Sequence, residues 1–167
     1  QQALNAFKNA SEMEFDTAIQ EDAALNYAKL SYEIGNPYQS TPDVLTAFLK
    51  KYPNNANKSE VERLLIDSYI SSKNYKEALL LLDNNKSSEN KAAYQKVTFY
   101  RGQELFTDSN YEDAALMFDK SLGQQKDPKF TARATFWKGE TEYVLNDFKN
   151  AVLSYKQFQG FAQAATT

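Results

Sequence analysis

Two of the most versatile side chains are missing. The 167-residue chain has no cysteine and no histidine. Without cysteine there are no disulfides, no thiol nucleophile and no zinc site of the cysteine type. Without histidine the commonest general base and the commonest metal ligand are gone. The carboxylates, lysines, tyrosines and hydroxyls that remain form no convergent acid–base set, and Glu12, Glu14 and Asp16 sit close together only on an acidic connector. The sequence therefore reads as non-enzymatic, with no cofactor and no metal. Glycine (5) and proline (4) are scarce and β-branched runs are absent, which favours an all-α chain. The longest apolar run, Ala78 to Leu82, is far too short to span a membrane. No secretory leader is visible, and the start at Gln1 without methionine reads as a processed product or an excised fragment of a longer protein. The net charge of −3, with no stripe of lysine and arginine, argues against a nucleic-acid partner. The polar loop 83–90 lacks the central glycine and acid spacing of an EF-hand.

What is present is an aromatic-rich helical pattern, clearest from Phe99 to Leu122. Phe99, Gly102, Leu105 and Phe106 share one side of a helix. Asn110, followed by Asp113, predicts an N-cap with an acidic first turn. Tyr111, Ala114, Ala115, Phe118 and Leu122 then line a second helix. Gly102 and Ala114 stand 12 residues apart and predict two helices crossing closely through small residues.

The same hairpin recurs along the chain. Ala3, Phe7 and Ala10 suggest an unpaired second helix at the start, spanning 1–12. Repeat 1 spans 17–53: Ala24, Tyr27, Ala28 and Tyr32 face inward, Gly35-Asn36-Pro37 stops the first helix, and Thr41 caps the next with Pro42 in its first turn. Val44, Ala47, Phe48 and Leu49 form the inward face of that helix. Repeat 2 spans 59–85, opened by a Ser59–Glu62 capping box and restarted at Asn74. Repeat 3 spans 89–123. Repeat 4 spans 128–159, with Asp127-Pro128 as cap and first residue and Asn146 capping its second helix. Residues 160–167 read as the start of a further helix or a tail. Ala28, Ile66, Gly102 and Gly139 occupy equivalent positions at intervals of 38, 36 and 37, the period of a helical solenoid.

These units resemble the tetratricopeptide repeat (TPR) family, whose 34-residue unit carries a small residue, an aromatic, an alanine and a second aromatic. Gly102, Tyr111, Ala114 and Phe118 match that order, as do Gly139, Phe148, Ala151 and Tyr155. The second unit keeps Tyr75 and Ala78 but has Ile66 and Leu82 at the outer two places, and the family's early tryptophan is absent, Trp137 lying two positions later. The resemblance implies a right-handed superhelical solenoid of antiparallel hairpins. The runs PDVLTAFLKKYPNN, NYKEALLLLD and ATFWKGETEYVLNDFKNAVLSYKQF are similar to bacterial cell-envelope members of the Tol-Pal-associated and outer-membrane assembly types, which implies the periplasm or the periplasmic face of the outer membrane.

By the same resemblance the chain is a scaffold holding a peptide or protein in a concave groove lined by first helices. The implied contact positions are Lys29, Tyr32, Arg63, Asp67, Lys96, Phe99, Gln103, Phe106, Arg133, Phe136, Glu140 and Tyr143, with Asp22, Leu25 and Glu60 beside them. The aromatic members of that set equally fit an inter-repeat core. A regulatory or targeting module of a longer enzyme is the alternative. Exposed repeat ends, the Gln1–Ala10 helix in particular, would allow a homodimer.

Overall fold

The computed structural model describes residues 1–14, 16–84 and 87–165, with side chains described to residue 161. Asn85 and Lys86, which the sequence reading places in the polar loop, lie outside the described residues. Among the described residues all regular structure is helical: α1 (Gln2–Glu12), α2 (Thr17–Ile34), α3 (Thr41–Lys51), α4 (Lys58–Ser71), α5 (Tyr75–Asn84), α6 (Lys91–Thr107), α7 (Tyr111–Leu122), α8 (Pro128–Val144) and α9 (Phe148–Ala165). None is long and apolar enough to cross a membrane. The chain divides into two compact units, Gln1–Asn74 and Tyr75–Thr167, so the boundary falls inside the segment 59–85.

In the first unit each helix packs on the next, and α2 also touches α4. Leu4, not Ala3, anchors α1, because Leu4 is buried while Ala3 is exposed. On α2 the buried set is Ala23, Leu25, Tyr27, Ala28 and Ser31, with Tyr32 outside it. On α3, Leu45 takes the inward place expected of Ala47. The turn after α2 is organised by Gly35 at φ 77° and ψ 162°, a region open essentially to glycine alone. Asn36 follows, donating from Nδ2 to Tyr27 Oη (2.8 Å) and Ser31 Oγ (2.9 Å) while its Oδ1 accepts from the Tyr38 amide (2.9 Å). This side chain gives the longer first connection its shape. The cap of α3 is Ser40, whose Oγ accepts from the Asp43 amide. Thr41 is the first helical residue and donates instead to the Ser31 carbonyl at 3.0 Å. The capping box at Ser59 does not form, because α4 begins a residue earlier, at Lys58 after Asn57.

The second unit stacks α5 on α6, α6 on α7, α7 on α8 and α8 on α9, and α6 also meets α8. Its core gathers Phe99, Leu105, Ala114, Met117, Phe118 and Ala134, with Phe106, Phe130 and Trp137 packed against it. The repeat is visible in ring geometry. Phe99 and Phe118 lie 6.2 Å apart at 53°, and their counterparts Phe136 and Tyr155 lie 6.3 Å apart at 53°. Phe106 and Tyr111 meet at 5.2 Å, and Tyr143 and Phe148 at 5.5 Å, both nearly edge-on. The small residues of the first helices serve these rings. A Cβ on Gly102 would lie 2.6 Å from Cε1 of Phe118, and one on Gly139 would lie 2.9 Å from Cε1 of Tyr155. Gly102 thus makes room for the ring of Phe118, four residues beyond its expected counterpart Ala114.

Three helix ends share one stop. Asn74, Asn110 and Asp147 donate from their amides to the carbonyls of Tyr69, Leu105 and Glu142, five residues back. The preceding residues Lys73, Ser109 and Asn146 donate three residues back and hold φ of 61°, 63° and 65°. This is the Schellman geometry, with non-glycine residues at the left-handed position. It accounts for two caps that differ from expectation. Asn110 precedes α7 but makes no side-chain cap bond. Asn146 is the left-handed stop of α8, while Asp147 accepts from the Asn150 amide and caps α9. Asp127 caps α8 as expected, accepting from the Lys129 amide at 2.8 Å. No break occurs at Gly160, where α9 runs on to Ala165. Because Ser109 is exposed and left-handed, Ser109→Gly is expected to stabilise the protein by about 0.5–1 kcal/mol, read as a rise in the midpoint of thermal unfolding.

Candidate partner-binding surface

The predicted contact positions differ widely in availability. In the first unit, Lys29 is tied to Glu60 at 2.7 Å and Arg63 lies 3.7 Å from Asp67, so these four charges satisfy one another in pairs. Tyr32 and Asp22 are exposed, whereas Leu25 is buried and offers nothing to a partner.

In the second unit Phe99 is fully buried and belongs to the core, a correction to its expected place on the surface. Phe106 is half-buried between Tyr111 and Trp137, and Phe136 is half-buried with its ring 5.2 Å from Phe158. Glu140 accepts a hydrogen bond from Tyr155 Oη at 2.8 Å and so holds α9. Burial and that bond push the Tyr155 phenol up to about 12, above its ordinary value of 10. The raised value means that its stabilisation is complete below about pH 10 and is lost as pH climbs through about 12. In a spectrophotometric titration of the 11 tyrosines, Tyr155→Phe is expected to remove a late-ionising phenol near pH 12. An unchanged late phase would refute the Tyr155–Glu140 bond.

Lys96, Gln103 and Arg133 remain. Lys96 on α6 and Arg133 on α8 occupy the same register, 37 residues apart, on first helices that touch. Neither has a carboxylate within ion-pair distance among the described residues. Arg133 is exposed, and its guanidinium carbon lies 4.6 Å from the ring centre of Phe99, 5.7 Å from Phe130 and 5.9 Å from Tyr100. A cation held over three rings is oriented without being neutralised. Tyr100 in turn stacks on Tyr75 at 5.3 Å and 15°. Burial, then the neighbouring Tyr100 and Glu104, pushes the Tyr75 phenol above its usual value. The side chain of Arg101 is engaged with Glu104 and is not part of this free charge.

The arrangement is a shelf of aromatic rings carrying one free arginine, with a lysine at the equivalent place on the preceding first helix. The family resemblance names Arg133 and Lys96 among its implied contact positions and does not name Tyr75, Tyr100 or Phe130, the rings gathered around the guanidinium. The signal available was the i, i+3 spacing of Phe130 and Arg133 on one helix face.

Two solved structures share this chain's topology. BtubC from P. vanneervenii superposes with a TM-score of 0.55 at 14% identity, covering 98% of this chain and 72% of that one. A point mutant of MamA superposes with a TM-score of 0.54 at 18% identity, covering 96% and 93%. The fold is a TPR-like solenoid of helix hairpins. At these identities the TPR-like assignment concerns architecture alone. No protein-family model matches the sequence, and no curated protein matches it.

Proposed function

We propose that this TPR-like chain is a non-catalytic scaffold that binds an acidic peptide segment of a protein partner across the first-helix face of its second unit. The carrying observation is Arg133, exposed, held over Phe99, Tyr100 and Phe130, and without a carboxylate partner among the described residues. A carboxylate meeting that guanidinium would form a charge-assisted pair while the half-buried rings of Tyr100 and Phe130 take up apolar side chains. Lys96 at the same register extends the positive character along the face.

A photo-crosslinking residue placed at Gln103 should capture peptides rich in aspartate and glutamate, and the double variant Lys96→Glu, Arg133→Glu should lower their capture about tenfold or more with thermal unfolding little changed. Capture that persists at full yield in the double variant would overturn the reading. The likeness of PDVLTAFLKKYPNN and its companion runs to envelope proteins supports a further proposal, that the scaffold works in the bacterial periplasm or on the periplasmic face of the outer membrane. Fractionation of native cells with an antibody to the chain tests it, and recovery in the cytosolic fraction would refute it.

A further inference from the structure

Three leucines of the second unit stand in the open at one register. Leu80 on α5, Leu116 on α7 and Leu153 on α9 each lie two residues beyond the small residue of their helix, Ala78, Ala114 and Ala151, at intervals of 36 and 37. They are 58%, 51% and 57% exposed, while the three alanines are buried. The first unit has Thr46 at this place, so the apolar row belongs to the second unit. Packing between repeats does not account for it. Leu116 stays open although α6 and α8 both pack on α7. The register lies on the outer side of each second helix, so a further repeat beyond α9 would leave Leu153 as open as α8 leaves Leu116. A large apolar side chain repeated in solvent marks a surface that meets another molecule.

The charges around this row come in two matched sets. On a helix, residues four before and three after a given side chain share its face. For Leu116 these are Glu112 and Asp119, and for Leu153 they are Lys149 and Lys156, all four exposed. Among the described residues Glu112, Lys149 and Lys156 have no ion-pair partner, and Asp119 has Lys138 alone. Two triplets of identical spacing and opposite charge are complementary to each other, which is what a two-fold interface between like subunits requires. As second helices of successive hairpins, α7 and α9 run in the same direction. A two-fold axis parallel to them and between them therefore lays α7 of one copy on α9 of the other. Every contact is made twice: Leu116 on Leu153, Glu112 with Lys149, and Asp119 with Lys156. The α5 triplet, Lys76, Leu80 and Asp83, carries both signs and lies outside this contact. We infer that the second unit pairs two copies of this chain through the outer side of α7 and α9. The surface is separate from the Arg133 shelf on the first helices and does not depend on it.

Sedimentation equilibrium of the full chain should show a monomer–dimer equilibrium that weakens as salt is raised. Leu116→Asp should weaken dimerisation about tenfold or more, with thermal unfolding little changed because the side chain is exposed. Glu112→Lys and Lys149→Glu should each weaken it about fivefold or more, because each sets like charges together twice in the dimer. The two substitutions combined should restore it. A monomer up to the highest soluble concentration would overturn the inference, and a photo-crosslinking residue at Leu116 that then captured a different protein would make that protein the occupant. A dimer that Leu116→Asp leaves intact, or a combined charge variant no tighter than the single ones, would overturn it as well.

Discussion

Phe118→Ala is expected to destabilise the second unit by about 3–5 kcal/mol. The ring is fully buried between Phe99, Trp137 and the bare backbone at Gly102. Its removal leaves a void that rigid helices can close only in part. The glycine makes the expectation sharper than a simple truncation series. Gly102→Ala alone places a Cβ 2.6 Å from a ring that cannot retreat, so strain of about 1–3 kcal/mol outweighs the gain in helix propensity of about 1 kcal/mol. With Phe118→Leu in place the conflict disappears, and Gly102→Ala should then stabilise. The sign of the alanine effect therefore depends on residue 118, and denaturant unfolding of the four species forms a cycle that measures the coupling. Additive effects would mean that Gly102 does not accommodate the ring. Ala114→Leu, fully buried on the facing helix, should cost about 1–3 kcal/mol with Phe118 in place.

Gln95→Leu should cost about 3 kcal/mol or more, although the replacement is apolar, similar in size and placed in a buried site. Gln95 has no exposed surface. Its Oε1 accepts from the amides of Lys126 (2.9 Å) and Asp127 (2.7 Å), and its Nε2 donates to the Asp127 carbonyl (3.2 Å) and Thr131 Oγ1 (3.0 Å). One side chain thus holds the connection from α7 into α8. Leucine would strand two backbone donors, each costing about 1–3 kcal/mol when left without an acceptor. Thr131→Ala removes a single partner and should cost about 1 kcal/mol. Thermal unfolding that ranks these two variants the other way would refute the clamp.

Gln95 also marks where the sequence stops being informative. The hairpins, their order and their 37-residue step are legible because Gly102, Ala114, Gly139 and Ala151 recur with aromatics at fixed offsets. The inner faces are less legible because many buried positions are polar. Ser31, Thr98, Thr135 and Thr141 are buried yet bond to carbonyls three or four residues back in their own helices, so they need no distant partner and blur the apolar stripe. A mid-helix glutamine reads as solvated until the path of the 123–127 connection is known. The candidate surface divides along the same line. The family resemblance implies Lys96 and Arg133 as contact positions, and their shared register puts them on the same side of successive first helices. Register cannot say that Phe99 lies beneath the guanidinium as core, that Glu140 is occupied by Tyr155, or that Lys29 and Glu60 neutralise each other. Those outcomes depend on neighbours from other helices. The misplaced caps at Thr41, Ser59 and Asn146 are each shifts of one or two residues, where adjacent polar residues compete for the same amides.

Trp137 is the chain's one tryptophan, and it lies wholly within the second unit, packed on Phe106 and Phe118 at the junction of α7 and α8. Its emission is therefore a selective reporter: ultraviolet excitation of the indole reads the second unit, while helical dichroism sums over both. Superimposed melting curves from the two signals would mean that the units Gln1–Asn74 and Tyr75–Thr167 unfold together, and separated curves that they do not. The intact protein carries this reporter without a label.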